Sequence, residues 1–358
     1  MKKLSWLIGA AFALPLALSA QTFSLSQKIA EKVLHSAWTD GSEFVKYIPP
    51  TESEVMGVPN PSVKDKRLLF FVGGSMHEGG THVCLEQKGN DFVITDRLTD
   101  RYQWFPIGCK VSCSERADYA LVRDPRSDGI CGVLKPMASS KELGQLIRND
   151  LRTFALAGKY IDVQGQPCYF SENENRVVGK YFTTSHYLFG EEYDTPSLYL
   201  IFPDKTYRAE RSHHWLILKP VKKNACDGYV PVPGVPDITL RRVFAPNEYE
   251  FPLTSERVLT ASEIMLYAGC SSISSRREER AGSMLAVVEA MEVMLNEVYA
   301  RHHYDFKDTK WKKYFNTKTW YKAENAEVLD RMSETERVNV EHIRFLADKL
   351  RKEAESIR

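Results

Sequence analysis

From Leu259 onward the periodicity of this chain is helical, and that change constrains the fold more than any other feature. Before it, from Lys159 to Val243, seven apolar runs (KYIDV, QPCYF, VVGKYFTTS, SLYLIF, KTYRAE, HHWLILKP and ITLRRV) are separated by turn residues such as Ser171-Glu172-Asn173 and Pro203-Asp204. Short runs at this spacing predict an antiparallel barrel or sandwich over residues 158–250. After it, Val287, Met291, Met294 and Val298 recur at helical spacing, with Glu289, Glu292 and Asn296 on the other side. A last helix starts at Ser333, with Glu336 in capping-box position, and turns Val340, Ile343, Leu346 and Leu350 to one face. The fold class expected is α+β: a β-rich body followed by a small helical unit over 259–352.

Upstream, RLLFFVGG, THVCLEQ, DFVITDRL, WFPIGCKVSC, DYALVRD and ICGVLKP predict a second antiparallel β-region from 67 to 136. A helix with Ser139 and Glu142 as its capping box follows and ends at Gly158, so this region is taken as 67–157. Residues 21–66 read as an amphipathic helix (25–38) and a Pro-containing linker.

The first twenty residues carry a compartment signal. Lys2 and Lys3 precede an apolar stretch from Leu4 to Leu18, and Ser19-Ala20 offers a small-residue cleavage site. That order is a secretory signal peptide over 1–20, and the run is short for a membrane span. The expectation is an exported protein, periplasmic or extracellular, with no membrane span after cleavage. Loss of the two lysines takes the formal charge from +1 to −1, which argues against a nucleic-acid partner. Seven cysteines follow the signal, an odd number. Four of them lie between 84 and 131, where cross-strand pairing and buried thiols are both compatible with the pattern.

Catalytic and metal motifs fail on spacing. In HEGGTH the histidines His77 and His82 are five apart, and Gly79-Gly80 sits where a zinc-binding helix would be needed. VGGSMHEGG lacks the Gly-Lys-Ser/Thr ending of a phosphate loop. His213-His214 falls in a predicted strand, where neighbours face opposite sides, and His302-His303 sits at a helix end. No Gly-x-Ser-x-Gly elbow is present. No cofactor, metal or catalytic set is expected.

The stretch NEVYARHHYDFKDTKWKKYFNTKTWY, residues 296–321, resembles the YARHG domain, a bacterial extracytoplasmic module. The resemblance rests on Asn296, Glu297, Val298, Tyr299, Ala300, Arg301 and His302, then Tyr304, Phe306, Tyr314-Phe315 and Trp320-Tyr321, and on a Ser-initiated helix with Asn339 and Ile343. It departs from the family pattern at His303, where Gly is usual, at Leu295 for Arg, and at Ala323 for Pro. It implies a compartment and a helical fold, and no chemistry. Asn296, Glu297, Tyr299, Arg301, His302, Trp320 and Tyr321 are the candidate motif residues, binding or structural. Glu297 and Arg301 read as an exposed i,i+4 pair. Tyr299, Phe306, Trp311, Tyr314, Phe315, Trp320 and Tyr321 read as the core of a small unit, ringed by Lys310, Lys312, Lys313, Lys318 and Lys322 as a solvated face. Arg301 and His302 are expected to tie the helix end to Trp320-Tyr321.

The function expected is a non-enzymatic binding protein with an unidentified envelope component or protein as partner. The alternative is a small-ligand carrier over 158–244, because Gly158-Lys159-Tyr160 and Arg241 or Arg242 resemble the opening and closing strands of lipocalin-like barrels. An unrecognised hydrolase is a third reading.

Overall fold

The computed structural model describes the strands Trp38–Thr39, Arg67–Val72, Thr81–Lys88 and Asp91–Arg97, then residues 107–136 and 156–357. Within those spans 115, 117, 172–173, 191–197, 212–213, 226–227 and 270–276 are excepted. The signal segment, the linker, the Gly-rich loop with His77 and nearly all of the helix expected before Gly158 therefore lie outside the described residues. The helix expected over 25–38 does not reach its last residue, because Trp38 is in a strand.

Seven strands form the first β unit: β1 (Trp38–Thr39), β2 (Arg67–Val72), β3 (Thr81–Lys88), β4 (Asp91–Arg97), β5 (Lys110–Cys113), β6 (Ala120–Arg123) and β7 (Ile130–Pro136). They make a closed barrel. Two residues close it: β1 pairs parallel with β2 through Trp38 and Val72, and antiparallel with β7 through Trp38 and Pro136. Both faces of β6 are buried. Leu121 and its register partner Val133 pack with Val258 and Val338 of the helical unit, while Ala120, Val122 and Leu134 are buried on the other face.

The second β unit contains nine strands where the sequence pattern indicates seven. These are β8 (Gly158–Asp162), β9 (Pro167–Phe170), β10 (Val177–Gly179), β11 (Leu188–Gly190), β12 (Leu198–Ile201), β13 (Thr206–Arg211), β14 (Trp215–Lys223), β15 (Tyr229–Pro231) and β16 (Ile238–Val243). β15 pairs only with β14. The other eight run as a curled antiparallel meander in which the first strand, β8, is hydrogen-bonded to the last, β16. Its one seam lies between β10 and β11. There a single bridge joins Arg176 to His186, flanked by Val177 N–H to Ser185 O (2.7 Å) and Tyr187 N–H to Asn175 O (3.0 Å). His214 is in the bend between β13 and β14, not in the strand expected for it.

The alternation along β13, with Tyr207, Ala209 and Arg211 buried, shows which face turns inward. The interior is filled by aromatic side chains. Phe182 stacks on Phe202 at 5.0 Å, and Phe170 meets Tyr160 edge-on at 5.7 Å. Tyr160 and Arg242 are register partners, and the Arg242 guanidinium donates to the Ala157 carbonyl (3.0 Å). Gly158, at φ +142°, leaves room for that guanidinium: a Cβ there would lie 3.0 Å from Arg242 Nε.

The helical unit comprises α1 (Leu253–Glu256), α2 (Ala261–Tyr267), α3 (Arg277–Arg301), α4 (Thr309–Phe315), a 3₁₀ turn (Leu329–Arg331) and α5 (Glu334–Ile357). Met284, Val287, Val288, Met291 and Met294 of α3 pack with Ile343, Ala347, Leu350 and Ala354 of α5. The same core includes Phe251 and Leu259, so the unit starts upstream of the boundary expected at 259. Thr260 and Glu263 form a capping box on α2, and Ser333 with Glu336 forms the expected one on α5. Phe306, Trp311, Phe315 and Tyr321 are buried and Tyr299, Tyr314 and Trp320 lie partly buried against them, as the core reading requires.

Candidate functional site

The polar residues of the motif meet on residues 249–259, the stretch between β16 and α2, called here the strap. Glu297 is the centre. It is fully buried on α3 between Met294 and Val298, and its two carboxylate oxygens accept the backbone N–H groups of Glu250 (2.7 Å) and Phe251 (2.9 Å). Arg301, one turn on, pairs with it and also donates to the Phe251 carbonyl (2.7 Å), Thr254 Oγ1 (3.0 Å) and Ser255 Oγ (2.6 Å). Its guanidinium lies 4.5 Å from the Tyr249 ring centroid.

The pair is therefore not the exposed one expected, since the Arg301 side chain is 7% exposed and that of Glu297 0%. Burial raises the Glu297 pKa above the usual carboxylate value, against the pull of Arg301 and the two N–H groups.

α5 holds the other half of the strap. Buried Asn339 donates through Nδ2 to the carbonyls of Thr254 and Arg257 (both 2.8 Å) and accepts the Leu259 N–H through Oδ1 (2.8 Å). Three positions along, His342 donates from Nδ1 to the Leu259 carbonyl (3.1 Å). Burial pushes its pKa down to about 4, outweighing the Leu259 carbonyl and Glu263, so the imidazole is neutral at pH 7.

His302 reaches across to Glu336: Nε2 and Oε2 are 3.1 Å apart, and Ser255 Oγ donates to Glu336 Oε1 (2.6 Å). Burial alone would raise the Glu336 pKa, but hydrogen bonds from Ser255, Ser333 and His302 prevail and hold it low. Arg301 and His302 thus grip the strap and α5, not Trp320-Tyr321 as expected.

The aromatic end of the motif closes the other side. Trp320 donates from Nε1 to the Glu248 carbonyl (3.2 Å) and meets Tyr249 edge-on at 4.9 Å. Tyr321 donates to the Tyr304 carbonyl (2.7 Å), and the Tyr299 hydroxyl accepts from Arg344 (3.0 Å). Asn296 only bonds back to the Glu292 carbonyl (2.7 Å). Lys318 leaves the solvated ring expected for it, pairing with Glu250 with its side chain 9% exposed; Lys310, Lys312, Lys313 and Lys322 stay exposed.

Chemically this is a clamp. The Ser255 hydroxyl touches a carboxylate and Arg301, while the His302 imidazole touches the carboxylate's other oxygen. The carboxylate therefore lies between hydroxyl and imidazole, whereas a Ser-His-acid triad has the imidazole in the middle. Among the described residues, no group of three or more His, Cys, Asp or Glu side chains is placed to hold a metal ion.

The family model of the YARHG domain matches residues 286–348. The match implies an extracytoplasmic protein, and no helix among the described residues is long and apolar enough to cross a membrane. Comparisons with curated proteins and with solved structures found no match.

The matched span runs from within α3 into α5, so Glu297, Arg301, Asn339 and His342 belong to the YARHG domain and the strap does not. The departure at His303 is accommodated without moving the helix end. His303 adopts φ +63° and closes a Schellman motif, with His303 N–H to Ala300 O (2.9 Å) and Tyr304 N–H to Tyr299 O (3.2 Å). Sequence reasoning missed Glu250, Thr254, Ser255 and His342. The last had a signal: His342 shares the apolar face of its helix with Asn339 and Ile343, and a polar group there needs a buried partner.

Proposed function

We propose that the protein is an exported, non-enzymatic binding protein of the cell envelope or the secreted fraction, delivered by cleavage after Ala20. The observation that carries this reading is that Glu297, Arg301 and Asn339 of the YARHG domain hold main-chain groups of a segment outside the matched span. The helical unit then serves as a frame between the two β units, with α2 in contact with both. Lys135 of β7 bonds Glu263 (2.9 Å) on one side, and Arg211 of β13 donates to the Leu266 carbonyl (3.0 Å) on the other. A tagged full chain exported from a bacterial host should carry Gln21 as its new N-terminus. Immobilised, it should retain a defined component of solubilised envelope. An intact Met1 in the cytoplasmic fraction would overturn the export reading, and turnover of ester, peptide or glycoside probes would overturn the non-enzymatic one.

The second reading, a small-ligand carrier, is favoured by the pairing of β8 with β16 and by the meeting of Tyr160 and Arg242. Against it, the meander interior is occupied by rings in mutual contact: Tyr160, Phe170, Phe182, Tyr187, Phe202 and Tyr207. An apolar fluorescent probe that binds the full chain at one site, and is lost on Ala209→Trp, would promote the carrier.

A further inference from the structure

The four clamp residues of the YARHG domain address the strap through its main chain. Glu297 takes two N–H groups, Arg301 takes the Phe251 carbonyl, Asn339 takes two carbonyls and one N–H, and His342 takes one carbonyl. All four are buried or nearly so, and every atom they bond in this set lies upstream of the matched span. A module whose buried polar groups find these partners only outside itself is incomplete alone, because such groups left unpaired are costly.

We infer that the groove between α3 and α5 is a backbone-reading peptide site, and that its resident ligand in this protein is the strap. This deepens the binding reading above by naming what the YARHG domain binds: a peptide of about a dozen residues with one helical turn at its centre.

The geometry also says what specificity such a site has. Contacts to amide N–H and C=O groups are common to all residues except proline, so they select for conformation and for free N–H groups at fixed positions. Here those positions are Glu250, Phe251 and Leu259. Side chains add further selection: Phe251 and Leu259 enter the apolar core, Thr254 and Ser255 offer hydroxyls to Arg301, Tyr249 lies against the Arg301 guanidinium, and the Glu250 carboxylate accepts from Tyr314 and Lys318. Glu256, by contrast, is exposed.

The test empties the groove in the full chain by replacing residues 249–259 with a proline-rich linker of equal length, which offers no N–H at the read positions. A labelled synthetic peptide of residues 246–260 is then titrated in. The emptied chain should take up the peptide saturably, one to one, with a gain in thermal stability. The native chain should not, because a strap held in cis competes at millimolar effective concentration.

Peptides N-methylated at Phe251 or Leu259 should bind at least ten-fold more weakly, and a Glu256→Ala peptide should bind equally. No uptake by the emptied chain, or equal uptake of N-methylated and plain peptides, would overturn the proposal.

A second measurement covers an emptied chain that does not fold. In the native full chain, amide exchange at Glu250, Phe251 and Leu259 should be slow. Glu297→Gln should accelerate the first two and Asn339→Ala the third, with α3 amides unchanged. Unaltered exchange in both variants would equally sink the idea. Neither outcome depends on finding an envelope partner.

Discussion

Arg301 and His302 sit side by side yet should differ several-fold in their effect on stability. Removing Arg301 leaves the fully buried Glu297 carboxylate without its counter-charge, a loss of about 3–5 kcal/mol for a buried pair. His302 is partly exposed and shares Glu336 with Ser255 and Ser333, so its removal should cost about 1–3 kcal/mol. Denaturant midpoints of Arg301→Ala and His302→Ala check the order, and equal midpoints would contradict it. His303 offers the opposite sign. A non-glycine residue in the left-handed region costs about 1–2 kcal/mol, and glycine's greater unfolded-state freedom returns about 0.4–1 kcal/mol of any gain. The loss of the His303 Nδ1 contact with the Lys322 carbonyl (3.2 Å) offsets a little more. His303→Gly should therefore stabilise by some tenths of a kcal/mol up to about 1 kcal/mol, seen as a raised midpoint with unchanged slope.

At the level of elements, the strap decides where the helical unit can be cut. A segment from Leu259 to Arg358 lacks the strap partners of Glu297 and Arg301 and most of those of Asn339, while one from Ala245 includes them. The longer segment should unfold cooperatively and the shorter should show partial helicity without a sharp thermal transition; equal transitions would make the strap dispensable. The difficulty of reading this from sequence is physical. Strands such as Thr206–Arg211 alternate buried and exposed residues, and the core positions of α3 and α5 recur at helical spacing, so those elements were legible. β1, β11 and β15 have two or three residues each, too few to show a period. The strap is gripped mainly by its main chain, which leaves little pattern in side chains. The motif residues stand out in the sequence, but their partners on the strap lie some forty to fifty residues upstream, with no spacing that links them.

For the molecule as a whole, three buried groups of the YARHG helices contribute to the response to acid. His342 has its folded pKa depressed to about 4 from an ordinary 6.5, so between those values the unfolded chain binds a proton that the native chain refuses. Stability is lost as pH falls through that window, by about 3 kcal/mol in all. Glu297 acts oppositely: with its folded pKa raised, the native chain holds a proton that the unfolded one releases, and this contribution fades as pH rises through the folded value. Glu336, held low, adds a loss only below the usual carboxylate range. Urea unfolding of the full chain from pH 7 to 4 should show a falling midpoint. His342→Gln should flatten it between about 6.5 and 4, and an unchanged slope in that variant would remove His342 as the cause.

The contact between Glu341 and the first barrel sets an order of events in time. Glu341 Oε1 accepts from Arg123 and from the Ile130 N–H, both at 2.9 Å, across 218 and 211 residues of chain. A polypeptide synthesised from its amino end delivers β6 and β7 long before α5. Leu121 and Val133 must wait, one apolar face uncovered, until the last helix has followed. The final event in making this protein is therefore a docking of early chain by late chain. For that interval the nascent molecule is at its most adhesive.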